Sequence, residues 1–360
     1  MRTLLIAGGL VSMVLLSQRL FPAEANYSRA QEEFAVVGSD ESANSAPLVS
    51  PTPSAQTAGP SKVTISGANY SYVYSVNGVP ERIRGVGYNS LYTQFSLEER
   101  AARYDQDFAR MRAAGINTIL GWGAQQFDDL TLARAQTHGL GVVMPYRLPS
   151  DGSYADPQYQ ARVEEDVLRW VGRFRNYPAL RLWGIGNEVI HGMGKNPDTP
   201  KAEAFATFYV RLIDKVHALD PDHPVTYRAA EDVYLKPMKS ALQHDKLPRP
   251  WFVYGVNFFT FRICDALRNW PQKGVDAPIM VSEFAPAGLS REERPNGYRR
   301  MWSCVAENPK TVLGGFAYVW NTVGPEALDR SFGLTDQANR PTDNSLATLN
   351  ELFRQEKDGE

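Results

Sequence analysis

Between residues 83 and 320 the chain repeats one alternation eight times: a short apolar run, then a longer segment with helical periodicity. The runs are IRGVGY (83–88), INTIL (116–120), LGVVMPY (140–146), LRLWGIGN (180–187), PVTYR (224–228), WFVYGVNFF (251–259), PIMVSEF (278–284) and GGFAYVW (314–320). Continuous apolar runs of this length read as strands buried on both faces, and strands that take turns with helices imply parallel pairing. The helices between them have recognisable starts. Ser96 with Glu99 makes a capping box, and Asp156-Pro157 is a cap followed by an N1 proline. After that proline Val163, Val167, Trp170, Val171 and Phe174 recur at helical spacing, giving one apolar face to lay on a sheet. Eight units over about 275 residues fit an α/β fold of the (β/α)8 TIM-barrel type, with a doubly wound open sheet as the alternative.

The segments before the first run are of three kinds. Residues 62–82 alternate apolar and polar side chains around Asn77-Gly78, which predicts a short N-terminal β-hairpin capping the barrel bottom. Residues 26–61 are rich in Ser, Pro and Ala and read as a disordered linker. Residues 1–25 have the pattern of a signal peptide: basic Arg2, an apolar stretch from Thr3 to Leu16, and small Ala23 and Ala25. Left uncleaved, residues 3–16 would tether the chain to a membrane. Either way the expectation is export to a periplasmic, extracellular or outward-facing membrane location, with residues 62–355 as the catalytic domain. The two cysteines, Cys264 and Cys304, could then form a disulfide; two buried thiols is the other reading.

What the domain does is narrowed by what it lacks. A net charge of −2 gives no electrostatic case for binding nucleic acid. The five histidines show no zinc-ligand spacing, no GxSxG elbow is present, and GIG at 184–186 lacks the third glycine of a dinucleotide fingerprint, so neither metal nor cofactor is expected. Two carboxylates stand out instead. Glu188 closes the fourth run and Glu283 the seventh, and in a barrel both strand ends open into the same bowl. Carboxylates are rarely buried at a strand end without a role, and a facing pair is the apparatus of glycosidic bond cleavage.

In these residues the chain resembles the retaining β-glycosidases of glycoside hydrolase clan A, which are built on (β/α)8 barrels. GNEV (186–189) and SEFA (282–285) are similar to the acid/base and nucleophile motifs. IRGVGYN, AAGINTI, RNYPALRLWGIGNE, APIMVSEFA and GGFAYVWNT follow the order of the family 2 barrel, while GINTI and VTYRAAED resemble the β-1,3-glucanosyltransferases of family 72. The resemblance spans about residues 80 to 345 and implies a carbohydrate substrate, with Glu188 as acid/base and Glu283 as nucleophile. It further implies that Asn187 binds the sugar 2-hydroxyl and that Trp320 forms a platform under the reacting sugar.

Strand-end position adds Asn89, Trp122, Tyr146 and Asn257 as sugar-binding candidates, with Tyr88 beside Asn89; His191 reads as a loop residue. The chain also departs from the clan pattern. Leu120 stands where many members carry arginine, and Phe259 where many carry tyrosine; both usual groups hydrogen-bond the nucleophile. Arg147, Arg228 and Arg262 are placed by chain position to compensate, and Arg228 is expected to enter the bowl and meet the catalytic centre or an acidic sugar. A transglycosylase using the same glutamates, or a binding barrel with impaired catalysis, are the competing functional readings.

Overall fold

The computed structural model describes residues 59–358 apart from 125, 274 and 275, so the expected signal peptide and all but the end of the expected linker lie outside the described residues. The described part opens with three antiparallel strands: β1 (Val63–Ala68), β2 (Ser71–Val76) and β3 (Val79–Pro80). It continues with eight barrel strands: β4 (Ile83–Gly87), β5 (Thr118–Leu120), β6 (Gly141–Tyr146), β7 (Leu180–Asn187), β8 (Val225–Ala229), β9 (Phe252–Phe258), β10 (Ile279–Phe284) and β11 (Val312–Ala317). Helices α1 (Leu97–Ala113), α2 (Asp129–Thr137), α3 (Pro157–Phe174), α4 (Val189–Gly192), α5 (Pro200–Leu219), α6 (Lys236–His244), α7 (Arg262–Arg268), α8 (Arg294–Ala306), α9 (Ala327–Phe332) and α10 (Ser345–Asp358) complete the chain.

All eight barrel strands pair in parallel, and β11 returns to β4 in the register Gly314 to Ile83, closing the sheet and ruling out the open-sheet alternative. The capping signals hold. The Ser96 hydroxyl accepts the Glu99 N–H at the start of α1, and Asp156 accepts the Gln158 N–H at the start of α3, whose buried side is Val167, Val171 and Phe174. Strand eight differs from expectation. It runs Val312–Ala317, so residues 318–320 belong to the connection after it.

The antiparallel sheet closes the barrel floor as expected. Val63, Tyr74 and Val76 pack with inward residues of the barrel such as Ile83, Leu182, Val253 and Met280. Its backbone is anchored to the connections entering β8 and β11 by Val63 N–H to Asp222 O (2.8 Å) and Tyr72 N–H to Lys310 O (2.7 Å). Packing begins one residue earlier than the expected linker boundary. Ser61 is buried, donates to the Leu180 carbonyl and lies 2.9 Å from His223 Nε2. Cys264 on α7 and Cys304 on α8 are joined in a disulfide, deciding between the two cysteine readings.

Candidate active site

The opposite end of the barrel carries the polar cluster. In a regular strand, neighbouring residues face opposite sides of the sheet, so Asn187 and Glu188 should diverge. Two left-handed residues prevent that. Gly186 has φ 78° and Glu188 itself φ 52°, an uncommon conformation for a residue with a side chain. The bond from Glu188 N–H to Arg228 O (2.8 Å) fixes this turn to the next strand. Both Asn187 and Glu188 thereby reach one amide: Asn257 Nδ2 on β9 lies 2.8 Å from Glu188 Oε1 and 3.3 Å from Asn187 Oδ1.

The second carboxylate uses a different irregularity for the same end. The pairing of β10 with β9 slips between Val281 and Glu283, a bulge that brings the consecutive Ser282 and Glu283 to the same partner. Ser282 Oγ donates to Asn257 Oδ1 (2.6 Å), while Asn257 Nδ2 donates to Glu283 Oε1 (2.9 Å). The hydroxyl fixes which way the amide points, leaving both amide protons for the two carboxylates. Glu283 accepts a further bond from Trp122 Nε1 at 2.7 Å. The Trp122 ring passes over β4 where a Cβ on Gly87 would come within 2.6 Å of it, and the Trp122 backbone N–H donates to Gln126 Oε1.

One nitrogen thus bridges two carboxylates, through bonds of 2.8 and 2.9 Å. The bonded oxygens stand no farther apart than these two lengths laid end to end.

The two glutamates differ in environment. Glu283 is 4% exposed, and its carboxyl is pushed up to about 8 by burial and by the charge of Glu188, against the opposing pull of the Trp122 bond, the Arg228 charge and the Asn257 bond. The Glu188 side chain is 26% exposed, with His191 Nδ1 3.8 Å away on α4. The His191 ring packs edge-on against Tyr234, 4.9 Å between centroids, so this loop residue borders the cluster.

Arg228 lies inside the barrel, fully buried. Gly255 on β9 makes room, since a Cβ there would come within 2.9 Å of Arg228 Cγ. Its Nη1 donates across the barrel to Gly121 O (2.7 Å), at the end of β5. Burial lowers its pKa to about 10, with Glu283 the leading charge that opposes the fall. Arg228 therefore reaches the two glutamates by charge rather than by contact, and its side chain has no exposed surface to offer a sugar. Arg262 is an exposed side chain paired with Glu231 (2.8 Å), so it does not compensate at the centre.

Of the expected residues, Glu188, Glu283, Asn187, Asn257 and Trp122 come together, and Trp320, Tyr146, Asn89 and Tyr88 do not. Trp320 is fully buried beside Asp107 of α1, outside the barrel wall, because strand eight ends before it; it is no exposed platform. Tyr146 faces the helices, its ring edge-on to Trp170 of α3 at 6.3 Å. Asn89 is buried and exchanges two bonds with the Asn321 backbone (2.6 and 3.0 Å), stapling the connection after β11. Tyr88 points outward, donating to Asp107 (2.7 Å). Two cluster residues were not anticipated. Ser282 orients Asn257, and Tyr318 packs edge-on against Trp122, 5.5 Å between centroids, with its hydroxyl on Asp329 (2.7 Å). Tyr318 stands inside the GGFAYVW run two residues before Trp320, so its aromatic ring is visible in the sequence while its direction is not.

A closed parallel barrel whose fourth and seventh strands end in facing glutamates has the architecture of a barrel glycosidase. Residues 131–328, more than half of the chain, match the family model of the glycosyl hydrolases family 2 TIM barrel domain, and the chain belongs to that family. Among solved structures it is similar to a family 2 β-galacturonidase from Eisenbergiella tayi bound to galacturonate (17% identity, TM-score 0.62, 82% of this chain and 54% of that one). It is also similar to a Bifidobacterium dentium β-glucuronidase complexed with coumarin-3-O-glucuronide (16%, 0.63, 82% and 49%). A third is Bacteroides uniformis β-glucuronidase 2 covalently bound to cyclophellitol-6-carboxylate aziridine (15%, 0.63, 81% and 37%). At these identities the likeness is one of fold, and the chain spans about half or less of each of these proteins.

Proposed function

We propose that the protein is an exported β-glycosidase that cleaves its substrate with retention of configuration, Glu283 acting as nucleophile and Glu188 as acid/base. The observation that carries this reading is the Asn257 bridge, which brings one oxygen of each carboxylate to the same amide nitrogen and so supports the close pair that direct attack requires. In the first step a Glu283 oxygen attacks the anomeric carbon, and the bond to the leaving oxygen breaks as that oxygen takes the Glu188 proton. In the second, Glu188 takes a proton from water, whose oxygen bonds to the anomeric carbon and releases Glu283. The pair holds one proton between its members, and the reaction needs that proton on Glu188. The donors on Glu283, Trp122 Nε1 and Asn257 Nδ2, favour its charged form. Asn187 is the neighbour suited to bond the sugar 2-hydroxyl.

Export is supported by the signal-like first 25 residues and by a Cys264–Cys304 disulfide, a bond that persists in oxidising compartments. Aryl β-glycosides of glucuronic, galacturonic, glucosyl, galactosyl and mannosyl type form the first test, followed by oligosaccharides of the sugar accepted. Release of the aryl group with the β-anomer formed first, read by proton NMR, is the expected result. An α-anomer formed first would replace retention by inversion, and no cleavage of any member would remove the reading.

A further inference from the structure

Arg228 is a charged residue of the barrel interior that the catalytic steps above leave unused. A guanidinium in the dry interior of a barrel costs several kcal/mol unless opposite charge or hydrogen bonds compensate. Its compensation here is incomplete. Nη1 has the Gly121 carbonyl at 2.7 Å, Nε lies 3.4 Å from the Gly186 carbonyl, and the buried Nη2 has no hydrogen-bond partner among the described residues. No carboxylate lies within ion-pair distance of it among the described residues, so its charge acts through space. The groups that feel it are Glu283, Tyr209 of α5 and Glu188. Around the carboxylates themselves, Tyr318 adds to the surroundings of Glu283, while His191, Glu231, Tyr227 and Tyr234 lie around Glu188.

We propose that Arg228 is a fixed counter-cation that holds the Glu188–Glu283 pair at a single negative charge through both halves of the reaction. The inference rests on the glycosidase reading. In the form of the pair that reacts, the charge is on Glu283 and the proton on Glu188. When Glu283 becomes a neutral ester, the proton leaves with the departing group and the charge moves to Glu188. When water is split, the charge returns to Glu283. The count of one never changes, so one buried cation balances every stage without moving. A surface side chain would exchange its partner for water as the charge shifts; Arg228, held between Gly255 and the Gly121 carbonyl, cannot. It is a positioning residue for charge, not one that touches substrate.

The sign of its removal follows. Without the cation the doubly protonated pair is favoured over the monoanion, and the monoanion over the dianion, so both ionisations move to higher pH. Arg228→Met should therefore displace both limbs of the kcat/KM pH profile upward by about one unit or more. Arg228→Lys, which keeps the charge, should restore both limbs to near the wild-type positions. A purely structural role would lower the rate with both limbs in place. Should Arg228→Met fail to fold, Arg228→Gln keeps a donor for the Gly121 carbonyl and carries the same comparison.

A second measurement does not depend on turnover. The Trp122 indole N–H bonds Glu283 directly, so its resonance in 15N-labelled protein, assigned by loss in Trp122→Phe, reports ionisation of that carboxyl. Its titration midpoint should rise in the neutral variants and return in Arg228→Lys. Midpoints and limbs unchanged in the neutral variants would overturn the proposal while leaving the glycosidase intact. A wild-type chain that cleaves no glycoside would instead defeat the glycosidase reading, while the indole titration would still test the charge coupling of Arg228 to Glu283.

Discussion

Trp122 Nε1 donates to Glu283 Oε1 at 2.7 Å, so an indole at the end of β5 holds a carboxylate presented by β10 on the far side of the barrel mouth. A hydrogen bond to a charged group contributes about 1.5–3 kcal/mol. Trp122→Phe keeps the ring against Tyr318 and deletes the donor. The expected outcome is a fall in kcat/KM of roughly 10- to 100-fold, with the acidic limb moved to higher pH because the charged form of Glu283 has lost support. Steady-state rates across pH measure both.

Asn257 and Ser282 separate donation from orientation. Asn257→Asp removes the amide protons shared by the two carboxylates and adds a third acidic group beside them, so it should abolish measurable turnover. Ser282→Ala removes only the hydroxyl that fixes the amide's direction. Its effect should be milder, about 5- to 10-fold on kcat, in keeping with a neutral hydrogen bond of about 1 kcal/mol. Equal losses in both variants would contradict this division of labour.

The raised pKa of Glu283 makes a prediction about stability. A carboxyl whose pKa is higher folded than unfolded favours the folded chain while it is protonated. That contribution is complete below the unfolded value near 4.5 and is lost as pH rises through about 8. Glu283→Gln removes the titration. Relative to wild type it should be the more stable protein at pH 8–9, with the gap closing towards pH 4–5. Melting temperatures of both proteins over this range test it; a gap that widens on acidification would contradict the assignment.

Cys264 and Cys304 lie 40 residues apart in the chain and join α7 to α8. Closing a loop of that size in the unfolded chain contributes about 3–4 kcal/mol by the chain-entropy relation. Reduction, or Cys304→Ser, should lower Tm by several degrees. Turnover at low temperature should persist, since neither cysteine belongs to the carboxylate cluster. Loss of activity in step with reduction at 20 °C would contradict that.

The sequence was legible where strand order and strand ends decide the outcome, and less so where side-chain direction does. Glu188, Glu283, Asn257 and Trp122 could be found because the C-terminal ends of barrel strands converge wherever the strands begin. Tyr146 misled because it sits at a strand end yet alternates outward, onto Trp170. Trp320 misled because strand eight stops at Ala317, which gives the inner position to Tyr318. Ser282 was hidden for a converse reason: beside Glu283, alternation assigns it to the other face, and only the β10 bulge brings both inward. The left-handed turn at Glu188 has no signal in residue type, because glutamate is not a residue that favours positive φ.

The central claim is that Glu283 forms a covalent bond to sugar and Glu188 assists its making and breaking. Glu188→Ala should slow the second step most when the substrate is a dinitrophenyl glycoside, whose leaving group needs no proton, so the glycosyl-enzyme should accumulate. The decisive measurement is the mass of Glu188→Ala after brief exposure to dinitrophenyl β-glycosides of the accepted sugar, followed by peptide mapping. One added glycosyl residue is expected, located on Glu283 and absent from the Glu188→Ala/Glu283→Gln double variant. An adduct on any other residue, or rapid turnover by the Glu283→Gln single variant, would contradict it.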